Sequence, residues 1–221
     1  MKKDGILNIL GDRVLFLGCH CDDIEFGCGG LVTLISQSNN KRINLTVLSK
    51  NNLNSNGEVQ IERDLNEAYR SMINLGVNKD NIKIHDFPGQ MFEYSRQSIR
   101  EFLIEEKLRV CPTSVFYPGK DDIHQDHKAL ADEAYRIFRG INCFGYEVIR
   151  STKTFSPTVY IELNEQMLDK KIESIQYYET QKSQSANYYF ESEVVKNIAG
   201  FRGAQVGYKY AEAFESYIIY G

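Results

Sequence analysis

The chain has 221 residues, of which 42% are hydrophobic and 25% charged, a size and mix that suit one globular domain spanning residues 1–221 and argue against long disordered tracts. Its 30 acidic and 26 basic residues give a net charge of −4, which offers no broad positive surface to nucleic acid or to an anionic membrane. A small anionic substrate remains within reach of a few local arginines, because net charge does not set the field inside one cleft.

At the N-terminus, Met1-Lys2-Lys3-Asp4 leads only into the apolar run Ile6–Leu10, too short for the apolar region of an export signal. No stretch approaches the roughly 20 apolar residues of a membrane span, and a cytoplasmic protein is expected. The five cysteines form an odd set, which fits reduced thiols better than a disulfide framework.

Arg13–Gly18 is an apolar run ending at a glycine, as in a buried parallel strand that feeds a loop. A helix is expected from Leu31–Ile35 and a second strand over Ile43–Leu48, closing one β-α-β unit. Ser49–Gly57, rich in Asn and Ser, is expected to be a loop able to line a site. A helix over Glu58–Leu75 follows, with Leu65, Tyr69, Met72 and Ile73 on one face and Gly76 as its stop.

Ile82–Ile84 reads as a third strand, Ser95–Leu108 as a helix and Ser114–Tyr117 as another strand before Pro118-Gly119. The polar loop Lys120–His127 then opens a helix carrying Leu130, Ala134, Ile137 and Phe138. Strands over Thr158–Glu162 and Ser216–Tyr220 flank helices near Met167–Glu179 and Glu191–Ala199. This alternation predicts an α/β, Rossmann-like domain, a mostly parallel sheet with helices on both faces.

Open α/β sheets bind ligands beyond the C-terminal ends of their strands. Two polar clusters fall there: Cys19-His20-Cys21-Asp22-Asp23, and Asp121-Asp122-Ile123-His124-Gln125-Asp126-His127. Together they hold three of the chain's four histidines. A catalytic zinc takes about three nitrogen or oxygen ligands and keeps one position for water, a requirement that His plus Asp plus His meets. Adjacent Asp22 and Asp23 point different ways from a loop, so one can ligate while the other reaches the water. His124 and His127, three apart at a helix start, allow a similar division.

These clusters resemble the two motifs of the zinc-dependent deacetylases of the LmbE-like, or PIG-L, family. Its His-Pro-Asp-Asp-Glu with a following Gly-Cys-Gly-Gly is similar to His20-Cys21-Asp22-Asp23-Ile24-Glu25-Phe26-Gly27-Cys28-Gly29-Gly30, and its His-x-Asp-His to His124-Gln125-Asp126-His127. The likeness continues through Arg63…Glu67…Leu75-Gly76, Lys171…Thr180-Gln181, Arg202-Gly203 and Tyr210–Phe214. Cys21 replaces the usual proline, so the loop loses a fixed φ; Tyr178 stands where histidine is common.

The resemblance implies that His20, Asp23 and His127 bind zinc and that Asp22 is the general base. It implies that His124, oriented and held cationic by Asp126, stabilises the oxyanion or protonates the leaving amine, and that Arg63 contacts substrate. The expected reaction removes an acetyl group from an amino sugar. Iron, cobalt or nickel would suit the same donors as zinc, and the expected partner is a small N-acetylated sugar or glycoconjugate, with a homo-oligomer compatible.

Other readings stand beside these. Asp22-Asp23 suits a helix cap, His124 and His127 exposed loop residues, and Arg63 with Glu67 a surface ion pair. Cys19, Cys21 and Cys28 suggest a thiolate metal site, although a second Cys-x₂-Cys half is lacking. Gly27-x-Gly29-Gly30 lacks the full dinucleotide spacing and reads as a tight turn behind the metal. Non-sugar amide hydrolysis and silent sugar binding are the competing functions.

Overall fold

Alternate residues of a strand face opposite ways, and in the first strand both sets are apolar. In the computed structural model, which describes residues 3–38, 40–54, 56–183 and 187–220, Val14 and Phe16 enter one core while Leu15, Leu17 and Cys19 enter another. Met1 and Lys2 of the N-terminal reading, and Ser55 of the polar loop, lie outside the described residues.

The strands are β1 (Arg13–His20), β2 (Arg42–Ser49), β3 (Asn51–Leu53), β4 (Val59–Glu62), β5 (Ile82–Ile84), β6 (Pro88–Gly89), β7 (Ser114–Pro118), β8 (Asn142–Tyr146), β9 (Val159–Glu162) and β10 (Ala211–Ile218). Seven form one sheet in the order β5-β2-β1-β7-β8-β10-β9. The first five run parallel, and β10 pairs antiparallel with both β8 and β9.

The helices are α1 (Lys3–Leu10), α2 (Asp23–Ser36), α3 (Leu65–Asn74), α4 (Arg96–Val110), α5 (Gln125–Ile137), α6 (Glu165–Gln176), α7 (Glu179–Lys182) and α8 (Ser192–Ala204). Apolar residues of α2, α3, α6 and α8 cover one face of the sheet, and those of α4 and α5 the other. The result is the expected mixed α/β domain with helices on both faces. No helix among the described residues is long and apolar enough to cross a membrane.

Several local expectations differ from the structure. The helix expected over Glu58–Leu75 starts only at Leu65, because Asp64 caps it by accepting from the Asn66 N–H at 2.7 Å. The residues before it form β4, which pairs with β3 inside the expected loop, and with β6 they make a small second sheet.

Gly27, Gly29 and Gly30 form no tight turn: they lie inside α2, which already begins at Asp23. A Cβ on Gly27 would stand 2.2 Å from the Tyr146 ring, so glycine lets the helix lie directly on β8. Finally, β8 itself went unread in the sequence, and the last strand begins at Ala211 rather than Ser216.

Chain order reverses at β1, with β2 on one side and β7 on the other. The loops leaving β1 and β7 therefore diverge and open a crevice at the C-terminal end of the sheet.

Candidate active site

The loop between β1 and α2 splits its two aspartates. Asp22 sits at φ 127°, a left-handed backbone that costs a non-glycine residue about 1–3 kcal/mol. It precedes α2, yet its side chain makes no cap. Instead Arg63 Nη1 donates to its Oδ2 at 3.0 Å and to the Cys21 carbonyl at 2.6 Å. Asp23 turns the other way: its Oδ2 accepts the Cys19 and His20 N–H groups, each at 2.9 Å, and its Oδ1 lies 3.3 Å from His127 Nε2.

The loop between β7 and α5 orients the histidines. His127 Nδ1 donates to Asp122 Oδ2 at 2.9 Å, leaving Nε2 buried with no hydrogen-bond partner among the described residues. Asp122 also accepts from the His124 N–H at 2.8 Å and from the Ser151 and Thr152 hydroxyls at 2.9 and 3.1 Å. His124 is the N-cap of α5, its Nδ1 accepting the Asp126 N–H at 3.2 Å.

Asp126 does not direct its carboxylate at His124 as expected. Its Oδ2 accepts from His20 Nε2 at 2.9 Å and from the Gln90 N–H at 2.6 Å, and its Oδ1 from the Phe92 N–H at 3.1 Å. The backbone around Gln90, itself at φ 67°, turns this carboxylate toward His20. His20 Nδ1 is then left facing Asp23 Oδ2 at 3.8 Å.

The electrostatics follow from burial and these pairings. Burial disfavours a charged His127, but Asp23 and Asp122 outweigh it and push its pKa up to about 10. Burial would raise Asp23, yet His127 and His20 bring it below the usual carboxylate range. Asp22 is raised by burial, with Arg63 opposing. His124 is pushed down to about 4 by burial and by His20 and His127, so Asp126 does not hold it cationic. A cation on the neighbouring donors would act in the same direction.

Two compact sets of donor atoms lie within 4.8 Å: Cys19, Asp23 and His127, and His20, His124 and Asp126. The predicted trio His20, Asp23 and His127 spans both sets, with 5.6 Å between the two imidazole centroids. Cys19 packs in the α4–α5 core, where burial and then Asp23 raise its thiol pKa and favour the protonated form. The three-cysteine site does not assemble, since Cys21 and Cys28 belong to the opposite core.

The donors fit a divalent ion. The imidazoles of His20 and His127 each have one nitrogen fixed by a buried carboxylate and the other facing Asp23, the arrangement that sets the tautomer of a metal-binding histidine. With Nδ1 fixed on Asp122, His127 Nε2 is the nitrogen left to face an ion, and losing its proton would free a lone pair for it.

Beside these groups opens a cleft of about 1150 Å³, its mouth included, lined also by Arg63, Gln90, Asn52, Arg150 and Tyr189. Arg63 belongs to this wall and not to a surface pair with Glu67, whose carboxylate accepts instead from the Thr180 N–H and hydroxyl at 3.0 and 2.6 Å. Asp122, Gln90 and Arg150 carried no assigned role in the sequence. A second acid five residues before a candidate ligand was a usable signal for Asp122; the others depend on tertiary placement.

Comparison with known proteins agrees with this architecture. The family described as GlcNAc-PI de-N-acetylase, PIG-L, matches residues 15–138. The uncharacterized deacetylase YaiS of Escherichia coli is 23% identical over 171 residues, 73% of this chain and 88% of that protein. The N,N'-diacetylchitobiose deacetylase of Pyrococcus horikoshii superposes with a TM-score of 0.72 at 19% identity, over 98% of this chain and 92% of that one. The 4-carboxy-2-hydroxymuconate hydratase GalB of Pseudomonas putida shares the fold at a TM-score of 0.71 and 16% identity, over 94% and 96%. With more than half its length matched, including both histidine clusters, this chain belongs to the PIG-L (LmbE-like) family of deacetylases.

Proposed function

We propose that the protein is a metal-dependent hydrolase that removes the N-acetyl group from an amino sugar of the N-acetylglucosamine type, giving acetate and a free amine. His20, Asp23 and His127 hold the ion, zinc in the first instance, with iron(II), cobalt and nickel suited to the same donors. The observation that carries this reading is the buried His127 Nε2, without a hydrogen-bond partner among the described residues and 3.3 Å from Asp23 Oδ1, with a second carboxylate, Asp22, turned away from the pair. When bound, such an ion supplies positive charge that polarises an amide carbonyl and makes a nearby water more acidic.

The chain's own groups do the rest. Asp22, raised by burial yet paired with Arg63, accepts the proton of the attacking water. His124 is neutral, and because its Nδ1 accepts the Asp126 N–H, its proton sits on Nε2. From there it donates a hydrogen bond to the oxygen that gains charge. An imidazole already neutral has little tendency to release that proton, so the departing amine is protonated by Asp22, which returns the proton it took. Arg63 holds Asp22 and contacts the sugar from the cleft wall.

The test is acetate release from a panel of N-acetylated sugars by metal-depleted protein reloaded with zinc, with metal content measured in parallel. Stoichiometric zinc with acetate release supports the proposal. Cleavage of only non-sugar amides moves the substrate class, and sugar binding without turnover makes the protein a silent binder. Addition of water to a carbon–carbon double bond, the type of reaction named for the hydratase of this fold, would retire amide hydrolysis altogether.

A further inference from the structure

The loop that follows β8 brings Arg150 to the wall of the same cleft. The charges already there are matched: Arg63 pairs with Asp22 at 3.0 Å, and Asp23 lies 3.3 Å from His127. Arg150, by contrast, forms no ion pair among the described residues, although the chain as a whole carries a surplus of acid.

Its guanidinium is nevertheless held in position. One Nη1 proton goes to Asn187 Oδ1 at 3.1 Å, and Cζ lies 5.5 Å from the centroid of the Tyr189 ring. Asn187 is buried and donates its amide to the Gln181 carbonyl. Tyr189 packs against Phe26 with 5.2 Å between ring centroids. The loop beneath is fixed as well: Thr152 Oγ1 accepts the Val148 N–H at 2.9 Å, and the Ser151 and Thr152 hydroxyls both donate to Asp122.

A guanidinium presents five N–H donors in a fixed fork, and Arg150 spends one of them on Asn187. The remainder, oriented in advance and beside an aromatic face, suit the paired oxygens of a phosphate ester or carboxylate. The contacts with Asn187 and Tyr189 restrict this exposed side chain and so reduce the entropy that binding must remove.

We propose that Arg150 is a specificity-determining residue, which binds an anionic substituent on the sugar that enters the cleft. The proposal rests on the deacetylase reading for the sugar but not for the anion. A charge-assisted, two-point contact of this kind raises affinity about ten- to a hundredfold.

The experiment compares binding of N-acetylglucosamine 1-phosphate, N-acetylmuramic acid and methyl N-acetylglucosaminide to the zinc-loaded protein by calorimetry, with inorganic phosphate as the free-anion control. Wild type, Arg150→Gln and Arg150→Lys are measured, each checked for metal content. At least one charged sugar is expected to bind about ten- to a hundredfold more tightly than the neutral one, and better than inorganic phosphate. The phosphate and carboxylate probes identify the anion. Arg150→Gln brings the ratio close to one, Arg150→Lys keeps part of it, and added salt narrows it.

Equal affinity for charged and neutral sugars in wild type, failure of both charged sugars to bind, or a preference that survives Arg150→Gln overturns the proposal. Acetate release is read separately on the same sugars. Arg150-dependent binding without acetate sinks the deacetylase reading and leaves the anion site standing. Acetate released from charged and neutral sugars at equal kcat/KM does the reverse.

Discussion

Two buried clusters of charge meet α2, one at its middle and one at its N-terminus, and they are finished to different degrees. At the middle, Glu212 Oε1 accepts from Lys171 Nζ and the Gly30 N–H, and Oε2 from the Leu31 N–H, each at 2.7 Å. At the N-terminus, His127 Nε2 has no hydrogen-bond partner among the described residues, and Asp22 and Gln90 are held at φ 127° and 67°. Burial of charge is common to both clusters. Unmet hydrogen-bonding capacity and backbone strain belong only to the second, and these separate a place that awaits a ligand from one that fastens a helix to a sheet.

The contrast is broken most severely through activity. Asp22→Asn is expected to lower acetate release by about 10²–10⁴-fold while leaving bound zinc in place, read as kcat beside elemental analysis. Activity within tenfold of wild type would remove Asp22 from the role of base. At the finished cluster the loss falls on stability instead. Lys171→Met strands the buried Glu212 carboxylate and should cost about 3–5 kcal/mol in denaturant unfolding, with zinc stoichiometry unchanged. Asp23→Asn should show the opposite pattern, losing zinc at a smaller cost to the metal-free fold.

A finer cut concerns Asp122, whose carboxylate is taken up by His127, Ser151 and Thr152. Asp122→Asn should weaken zinc by about 10- to 100-fold, as expected when the group orienting a ligating histidine is altered. Unchanged affinity in a metal titration would show that His127 needs no such support. The last test is a pH dependence of the metal-free protein. His127 has a folded pKa of about 10 against an ordinary 6.5, so its contribution to stability is fully present below 6.5 and is lost as pH rises through 10. Zinc competes with the same proton, so its affinity should climb across that window. Metal-free stability that stays flat from pH 6.5 to 10 would contradict the pairing with Asp23 and Asp122.

Much of this organisation was legible in the chain itself. Apolar runs such as Val14–Leu17 announce buried parallel strands, and polar clusters directly after them announce a crevice at the strand ends. What stayed hidden depends on distant contacts. The strands β3 and β4 are only three and four residues long, with two asparagines in β3, and form by pairing with each other and with β6. The α2 glycines look like a turn until Tyr146, far along the chain, is seen to need the space. Asp126 sits two residues from His124, yet its carboxylate goes to His20 because the N–H groups of Gln90 and Phe92 collect it there.

The carboxylate of Asp122 ties the His127 imidazole and the Ser151 and Thr152 hydroxyls into one knot. Mutational drift in residues 148–152, where new selectivity would most readily arise, would also loosen His127, the proposed ion ligand. The hairpin of β3 and β4 touches the site less directly, through the neighbouring Gln90 and Arg63 rather than through a bond to a candidate ligand. Descendants of this sequence that change their diet should therefore be altered first along that hairpin, and only late, with compensation at Asp122, in the loop beside Arg150.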